Sequence, residues 1–220
     1  EVEVVPLEVG PSRHLVRFVR VDGRLIAVKE LPAALVDREY AILRRLESAG
    51  MPAVTPIGAV DRGDGNGLIV TEYLRGSIQY RRLLSTPGAA TTGRFSARLL
   101  DALAVLLVDL HRNGVWWGDG SLANALLKRD GSRLQAYLVD AETAEYQERL
   151  SDGQRQHDLD ILVENVAFGL ADAAAALGGG EPEIDAAVAA AAALRARYTE
   201  LWSLLHRPFT ARLDDRRAVA

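Results

Sequence analysis

The sequence contains no cysteine. Disulfides, thiolate zinc sites and thiol nucleophiles are therefore excluded, and the composition suits a reducing compartment. It has no apolar run near the ~20 residues that a bilayer-spanning helix needs. It lacks an excess of positive charge. Its 26 Lys and Arg stand against 30 Asp and Glu, a formal net charge of −4, which provides no electrostatic basis for binding nucleic acid. Glu1-Val2-Glu3 has no basic stretch of the kind that opens a secretion signal, so the expected location is cytoplasmic. Internal repeats are missing too. What remains is 220 residues, 49% hydrophobic and 25% charged. That is enough for one two-lobed globular domain or two small ones.

Residues 4–10 read as a strand running into a turn at Pro11-Ser12-Arg13-His14. Leu15 to Val21 alternates apolar and basic residues, as a half-buried strand does. Asp22-Gly23 is a two-residue hairpin turn, and Arg24 to Leu31 is the third strand. Pro32 leads into a helix over Ala33 to Ala49, with Leu35, Tyr40, Leu43 and Leu46 at helical spacing. Gly50 stops it. Residues 53–60 and 67–74 form two more strands around the polar turn 61–66. From Leu74 the pattern becomes helical. Ser77 to Leu84 reads as a short helix, Thr86-Pro87-Gly88 as a loop, and Ser96 to Asn113 as a long helix. That helix carries Leu99, Leu100, Leu103, Leu106, Leu107 and Leu110 and closes at Gly114. Residues 125–127 and 135–139 form a hairpin through Asp130-Gly131. His157 to Leu177 and Pro182 to about His206 are the last helices, and the polar tail from Leu213 is expected to fray. The expected fold class is α+β. A five-stranded antiparallel sheet with one inserted helix occupies 1–74, and a mainly helical part occupies 75–220.

Between the long helix and the hairpin lies Val115-Trp116-Trp117-Gly118-Asp119-Gly120-Ser121-Leu122-Ala123-Asn124, and Leu138-Val139-Asp140-Ala141-Glu142 follows the hairpin. An Asp, an Asn five residues on, and an Asp at the end of the next strand form a set suited to phosphoryl transfer. The first Asp can position and deprotonate a hydroxyl. The Asn amide oxygen and the later carboxylate are hard oxygen ligands for magnesium bound to ATP phosphates. Asp and Asn are also common turn formers, so the order of the surrounding elements carries much of the weight.

The pattern D-x-x-x-x-N with a following D resembles the catalytic loop and metal-binding Asp of the protein-kinase-like superfamily. Lys29, in Ile26-Ala27-Val28-Lys29, stands on the third strand, where that superfamily carries the Lys that binds the α- and β-phosphates; a solvated edge Lys is the alternative. Glu39 stands where a helical Glu holds that ammonium. Glu30 and Glu47 are its rivals, and a surface pair with Arg44 is its alternative role. Thr71-Glu72-Tyr73-Leu74 falls at the hinge position, where backbone groups of Glu72 and Leu74 bind adenine, unless it is a plain strand end. In His157-Asp158-Leu159-Asp160, Asp158, with Asp160 as rival, stands where an Asp hydrogen-bonds the catalytic-loop backbone. A charge complementing a helix N-terminus is the alternative. Trp116 and Trp117 read as packing residues, and His111 and His206 as helix-face residues.

Departures narrow the resemblance. Trp117-Gly118-Asp119 replaces His-Arg-Asp, Ser121 stands where protein kinases carry Lys, Asp140-Ala141-Glu142 replaces D-F-G, and no A-P-E follows. The phosphate-covering turn Gly10 to His14 has one Gly, so Ser12, Arg13 or His14 is expected to cap phosphates. The form W-G-D-x-S-x-x-N followed by V-D-A-E is similar to the bacterial lipopolysaccharide-kinase-like branch, including bacterial proteins with a similar loop. The likeness is strongest between residues 110 and 165. The resemblance implies an ATP- and Mg2+-dependent phosphotransferase that moves the γ-phosphate to a hydroxyl acceptor, a sugar or other small polar molecule. Lys29 and Ser12 would hold phosphates, Glu39 would orient Lys29, Asn124 and Asp140 would bind Mg2+, and Asp119 would position the hydroxyl. A Ser/Thr protein kinase and a regulatory, nucleotide-binding pseudokinase are the other readings.

Overall fold

The computed structural model describes residues 2–7, 13–80, 83, 93–131 and 133–206. Five strands come first: β1 (Val2–Val5), β2 (Val16–Val21), β3 (Arg24–Pro32), β4 (Pro56–Asp61) and β5 (Asn66–Glu72). They pair antiparallel in the order β1-β2-β3-β5-β4. Asp22 and Gly23 both take positive φ, 47° and 80°. This is the turn geometry whose twist matches a hairpin. The strand order puts β3 in the middle. Lys29 lies opposite Val16 on β2 and Ile69 on β5 and is only 9% exposed, so it is not an edge Lys.

Helix α1 (Ala33–Ser48) buries Val36, Glu39, Ile42, Leu43 and Leu46. Spacings of three and four put these residues on one face, which packs on β4 and β5. A carboxylate on that apolar face requires a partner.

The chain departs from expectation at Ser77–Gln79. These residues form strand β6 and not the start of a helix over 77–84. β6 pairs antiparallel with β8 (Ala125–Asp130), Ile78 opposite Leu127. A ladder partner far along the chain overrides local propensity here. Ser12, most of 81–92 and the tail from 207 lie outside the described residues.

Helix α2 (Gly93–Arg112) buries all six of its named leucines. Each is worth about 2 kcal/mol relative to exposure. β7 (Val115–Trp116) follows, then a single 3-10 turn (Leu122–Asn124), the β8–β9 hairpin (β9, Arg133–Leu138) and β10 (Glu145–Tyr146). β10 returns antiparallel to β7. Helix α3 (Asp152–Ala176) begins ahead of the expected His157. The Ser151 hydroxyl accepts from the Gln154 amide while the Gln154 side chain accepts from the Ser151 amide, a reciprocal cap that starts the helix here. Helix α4 (Glu181–Leu205) packs against α2 and α3. The architecture is α+β and two-lobed. No helix among the described residues is long and apolar enough to cross a membrane.

Candidate active site

Lys29 projects from β3 into a ring of carboxylates. Its Nζ lies 3.2 Å from Glu39 Oε2, 2.7 Å from Asp140 Oδ2 and 3.5 Å from Glu142 Oε2. Burial opposes the charged ammonium, but the three carboxylates outweigh it, and the Lys29 pKa is raised. Glu39, 1% exposed, is pushed up to about 7, chiefly by burial; Lys29 pulls it down and Asp140 pushes it up. The second Glu39 oxygen accepts from the Ala141 amide at 3.4 Å. One helical carboxylate thus holds both the β3 ammonium and the backbone beside Asp140. Its rivals lie elsewhere: Glu30 pairs with Arg62 and Glu47 with Arg44.

The neighbouring Arg38 reinforces this link. Its guanidinium donates to the Thr143 and Ala144 carbonyls at 3.1 and 3.2 Å and pairs with Glu145 at 2.8 Å. Two consecutive α1 residues therefore hold the segment that follows Asp140.

The loop that carries Asp119 hangs from a buried carboxylate on α3. Asp158 Oδ2 accepts from the Trp117 amide at 2.7 Å and Oδ1 from the Gly118 amide at 2.8 Å. His111 Nε2 lies 3.0 Å from the same Oδ2, and His111 Nδ1 lies 2.7 Å from the Tyr198 hydroxyl. Burial lowers the His111 pKa against the pull of Asp158, so the imidazole is neutral at pH 7. Nε2–H then donates to Asp158, and Nδ1 accepts from Tyr198, whose phenol is pushed up to about 12, first by burial. Asp158, rather than Asp160, holds the loop backbone; Asp160 pairs with Arg195 on the surface. Gly118 takes φ +75°, and a Cβ there would lie 3.0 Å from the Thr143 carbonyl. This is why glycine precedes Asp119. Trp117 is fully buried, and the Thr143 hydroxyl donates to its carbonyl at 3.0 Å.

The Asp119 carboxylate, 29% exposed, faces Arg13 Nη2 at 3.7 Å. Its carbonyl accepts from the Ser121 amide at 2.7 Å and from Asn124 Nδ2 at 3.2 Å. The Asn124 carbonyl accepts from the Val139 amide at 3.0 Å, which joins the loop to the residue before Asp140. Asp140 Oδ1 accepts from the Glu142 amide at 3.1 Å. Oxygens of Glu39, Asp140 and Glu142 all lie within 4.8 Å of one another, and His14 Nε2 approaches Glu142 Oε2 at 2.8 Å.

At the end of β5, the Glu72 amide donates to the Thr55 carbonyl at 2.8 Å. The Leu74 carbonyl accepts from the Ser77 amide at 3.3 Å and hydroxyl at 2.7 Å. The Leu74 amide donates to no backbone carbonyl among the described residues.

The structure therefore brings Lys29, Glu39 and Asp140 into one cluster and ties Asp119 and Asn124 to it through backbone bonds. Glu72 ends β5, an interior strand of the sheet, and Leu74 follows two residues later; Ser12 lies outside the described residues. Sequence reasoning missed Glu142, Arg38 and His111. The spacing Asp-x-Glu in an extended segment was a signal for the first, since both side chains then share a face.

The lipopolysaccharide kinase (Kdo/WaaP) family model matches residues 22–179. Among solved structures, WaaP in complex with acyl carrier protein has a similar fold: the TM-score is 0.57 at 20% identity, covering 91% of this chain and 89% of that one. A search of curated proteins finds no match. The matched span takes in Lys29, Glu39, Asp119, Asn124, Asp140 and Asp158 and most of the chain's length, so the chain belongs to the lipopolysaccharide kinase (Kdo/WaaP) family of kinase-type phosphotransferases.

Proposed function

We propose that this chain is a cytoplasmic, ATP- and Mg2+-dependent kinase that transfers the γ-phosphoryl group of ATP to a hydroxyl of a sugar or another small polar acceptor, with no nucleic acid as partner. The observation that carries this reading is the junction at Lys29. There the ammonium of a central strand meets Glu39 of a helix and Asp140 of a distant segment.

The donor set fits a hard cation. The clustered oxygens are carboxylates, the preferred ligands of Mg2+. The Asn124 amide nitrogen is used on the Asp119 carbonyl, which leaves its oxygen as a ligand. Asp140 and Asn124 are the assigned ligands, with Glu142 beside them. Those residues would hold Mg2+, which when bound would supply positive charge against the phosphates. Lys29 holds the α- and β-phosphates, and Glu39 keeps its ammonium charged and aimed. Asp119 takes the proton of the acceptor hydroxyl as the acceptor oxygen bonds to the γ-phosphorus. The bond from that phosphorus to the bridging oxygen breaks, and ADP leaves with the electron pair. Catalysis is then mostly positioning and charge neutralisation. The Glu72 carbonyl and the Leu74 amide would bind adenine, where the chain passes from a nucleotide-binding lobe ending at residue 74 to a helical lobe starting at 75.

The small acceptor is supported by the segment after Asp140. It is short, and it is held down by Arg38 and by the β7–β10 pairing. That leaves little platform for an extended peptide of the sort protein kinases use. The test is turnover of labelled ATP with sugars, lipids, small alcohols and peptides, with mass spectrometry of the products. Transfer to a small hydroxyl compound that Asp119→Asn abolishes supports the reading. Phosphorylation of a protein Ser or Thr in trans, with no small acceptor used, overturns the acceptor class. Nucleotide binding without transfer favours a pseudokinase.

A further inference from the structure

The residues just before β2 are anchored beside Lys29. The Glu30 amide donates to the Leu15 carbonyl at 2.9 Å, and Val16 stands opposite Lys29 in the ladder. From that anchor two consecutive side chains reach the two ends of the site: His14 touches Glu142 at 2.8 Å and Arg13 touches Asp119 at 3.7 Å.

Charge is unevenly supplied between those ends. Lys29 is surrounded by Glu39, Asp140 and Glu142. The loop residues around Asp119, namely Gly118, Gly120 and Ser121, carry no charge. Among the described residues, the ion pair that Asp119 makes is with Arg13. A phosphoryl group in flight spreads negative charge over three oxygens beside the attacking hydroxyl. That hydroxyl is the one Asp119 positions, so the charge develops where the Arg13 guanidinium lies.

We infer that Arg13 is a γ-phosphate-binding residue, supplying from just before β2 the positive charge that the Asp119 loop does not have. This rests on the kinase reading above and adds the group that meets the transferred phosphoryl. As the bond to the acceptor oxygen forms and the bond to ADP breaks, the guanidinium bonds the equatorial oxygens while Asp119 takes the hydroxyl proton. A guanidinium suits the task because it stays charged and offers paired donors to two phosphate oxygens. The Arg13 side chain is 78% exposed. A pair that exposed holds little energy, so giving up Asp119 for a phosphate costs little.

An exposed Arg that merely settles on the nearest carboxylate predicts no preference among nucleotides, and this separates the two cases. The experiment is calorimetric titration of the whole chain with ADP and with β,γ-imido-ATP, both with Mg2+. It compares the wild type, Arg13→Ala, Arg13→Lys and the double variant Arg13→Ala/Ser121→Lys. Arg13→Ala is expected to weaken the triphosphate analogue roughly tenfold or more and to leave ADP within about twofold. Arg13→Lys should recover part of the loss, and Ser121→Lys should restore triphosphate preference in the double variant. Equal changes for both nucleotides, or none, overturn the assignment to the γ-phosphate while the kinase reading stands. A wild type that binds neither nucleotide overturns both.

Discussion

Lys29 Nζ on β3 and Asp140 Oδ2 beyond β9 meet at 2.7 Å, and Glu39 holds the backbone on the Asp140 side as well as the ammonium. The position of α1 therefore governs both sides of the Lys29–Asp140 pair. A buried carboxylate in that place couples the site to pH.

Burial pushes Glu39 from its ordinary 4.5 up to about 7. Between those values the folded chain binds more protons than the unfolded one, so the Glu39 contribution to stability falls as pH rises through the window. Glu39→Gln cannot ionise and lacks that fall. The unfolding free energy of wild type minus that of Glu39→Gln should drop by about 1–3 kcal/mol between pH 5 and pH 8. Urea unfolding at the two pH values measures it. A pH-independent difference would mean that Glu39 titrates as an ordinary surface carboxylate.

Asp158 and Asp160 lie two residues apart and should respond very unequally. Asp158→Ala leaves the Trp117 and Gly118 amides and the His111 Nε2–H without their acceptor. The expected cost is about 3–5 kcal/mol. Asp160→Ala removes an exposed pair with Arg195, worth under about 1 kcal/mol. Thermal unfolding of both variants decides; equal losses would remove the buried network as the support of the loop.

Gly118 and Gly131 both take positive φ, +75° and +56°, yet only at Gly118 would a Cβ meet a neighbour. Alanine at Gly131 should cost about 1 kcal/mol from the backbone alone. Alanine at Gly118 adds the clash with the Thr143 carbonyl, so it should cost more and also shift Asp119. Comparing the two variants in stability and phosphotransfer separates the contributions. Equal losses of stability with unchanged transfer would contradict a loop packed tightly on Thr143.

Much of this site was legible because its parts are tied to local pattern. Lys29 sits in an alternating strand bounded by Asp22-Gly23, Glu39 shares helical spacing with Leu43 and Leu46, and Asp119 and Asn124 follow a leucine-rich helix. What escaped depends on partners distant in sequence. β6 is a strand because β8 lies beside it, which no window around Ser77 reveals. His111 looks like any residue near a helix end until α3 brings Asp158 to one ring nitrogen and α4 brings Tyr198 to the other. The early start of α3 was readable in Ser151-Asp152-Gly153-Gln154, but Gly153 in the first turn masked the cap.

Calorimetric titration of ATP with and without Mg2+ into the wild type, Lys29→Ala and Asp140→Ala tests the account most directly. The wild type should bind ATP with an affinity that Mg2+ strengthens. Lys29→Ala should weaken binding roughly tenfold or more, and Asp140→Ala should abolish most of the Mg2+ dependence. Wild-type affinity and wild-type Mg2+ dependence in both variants would contradict it.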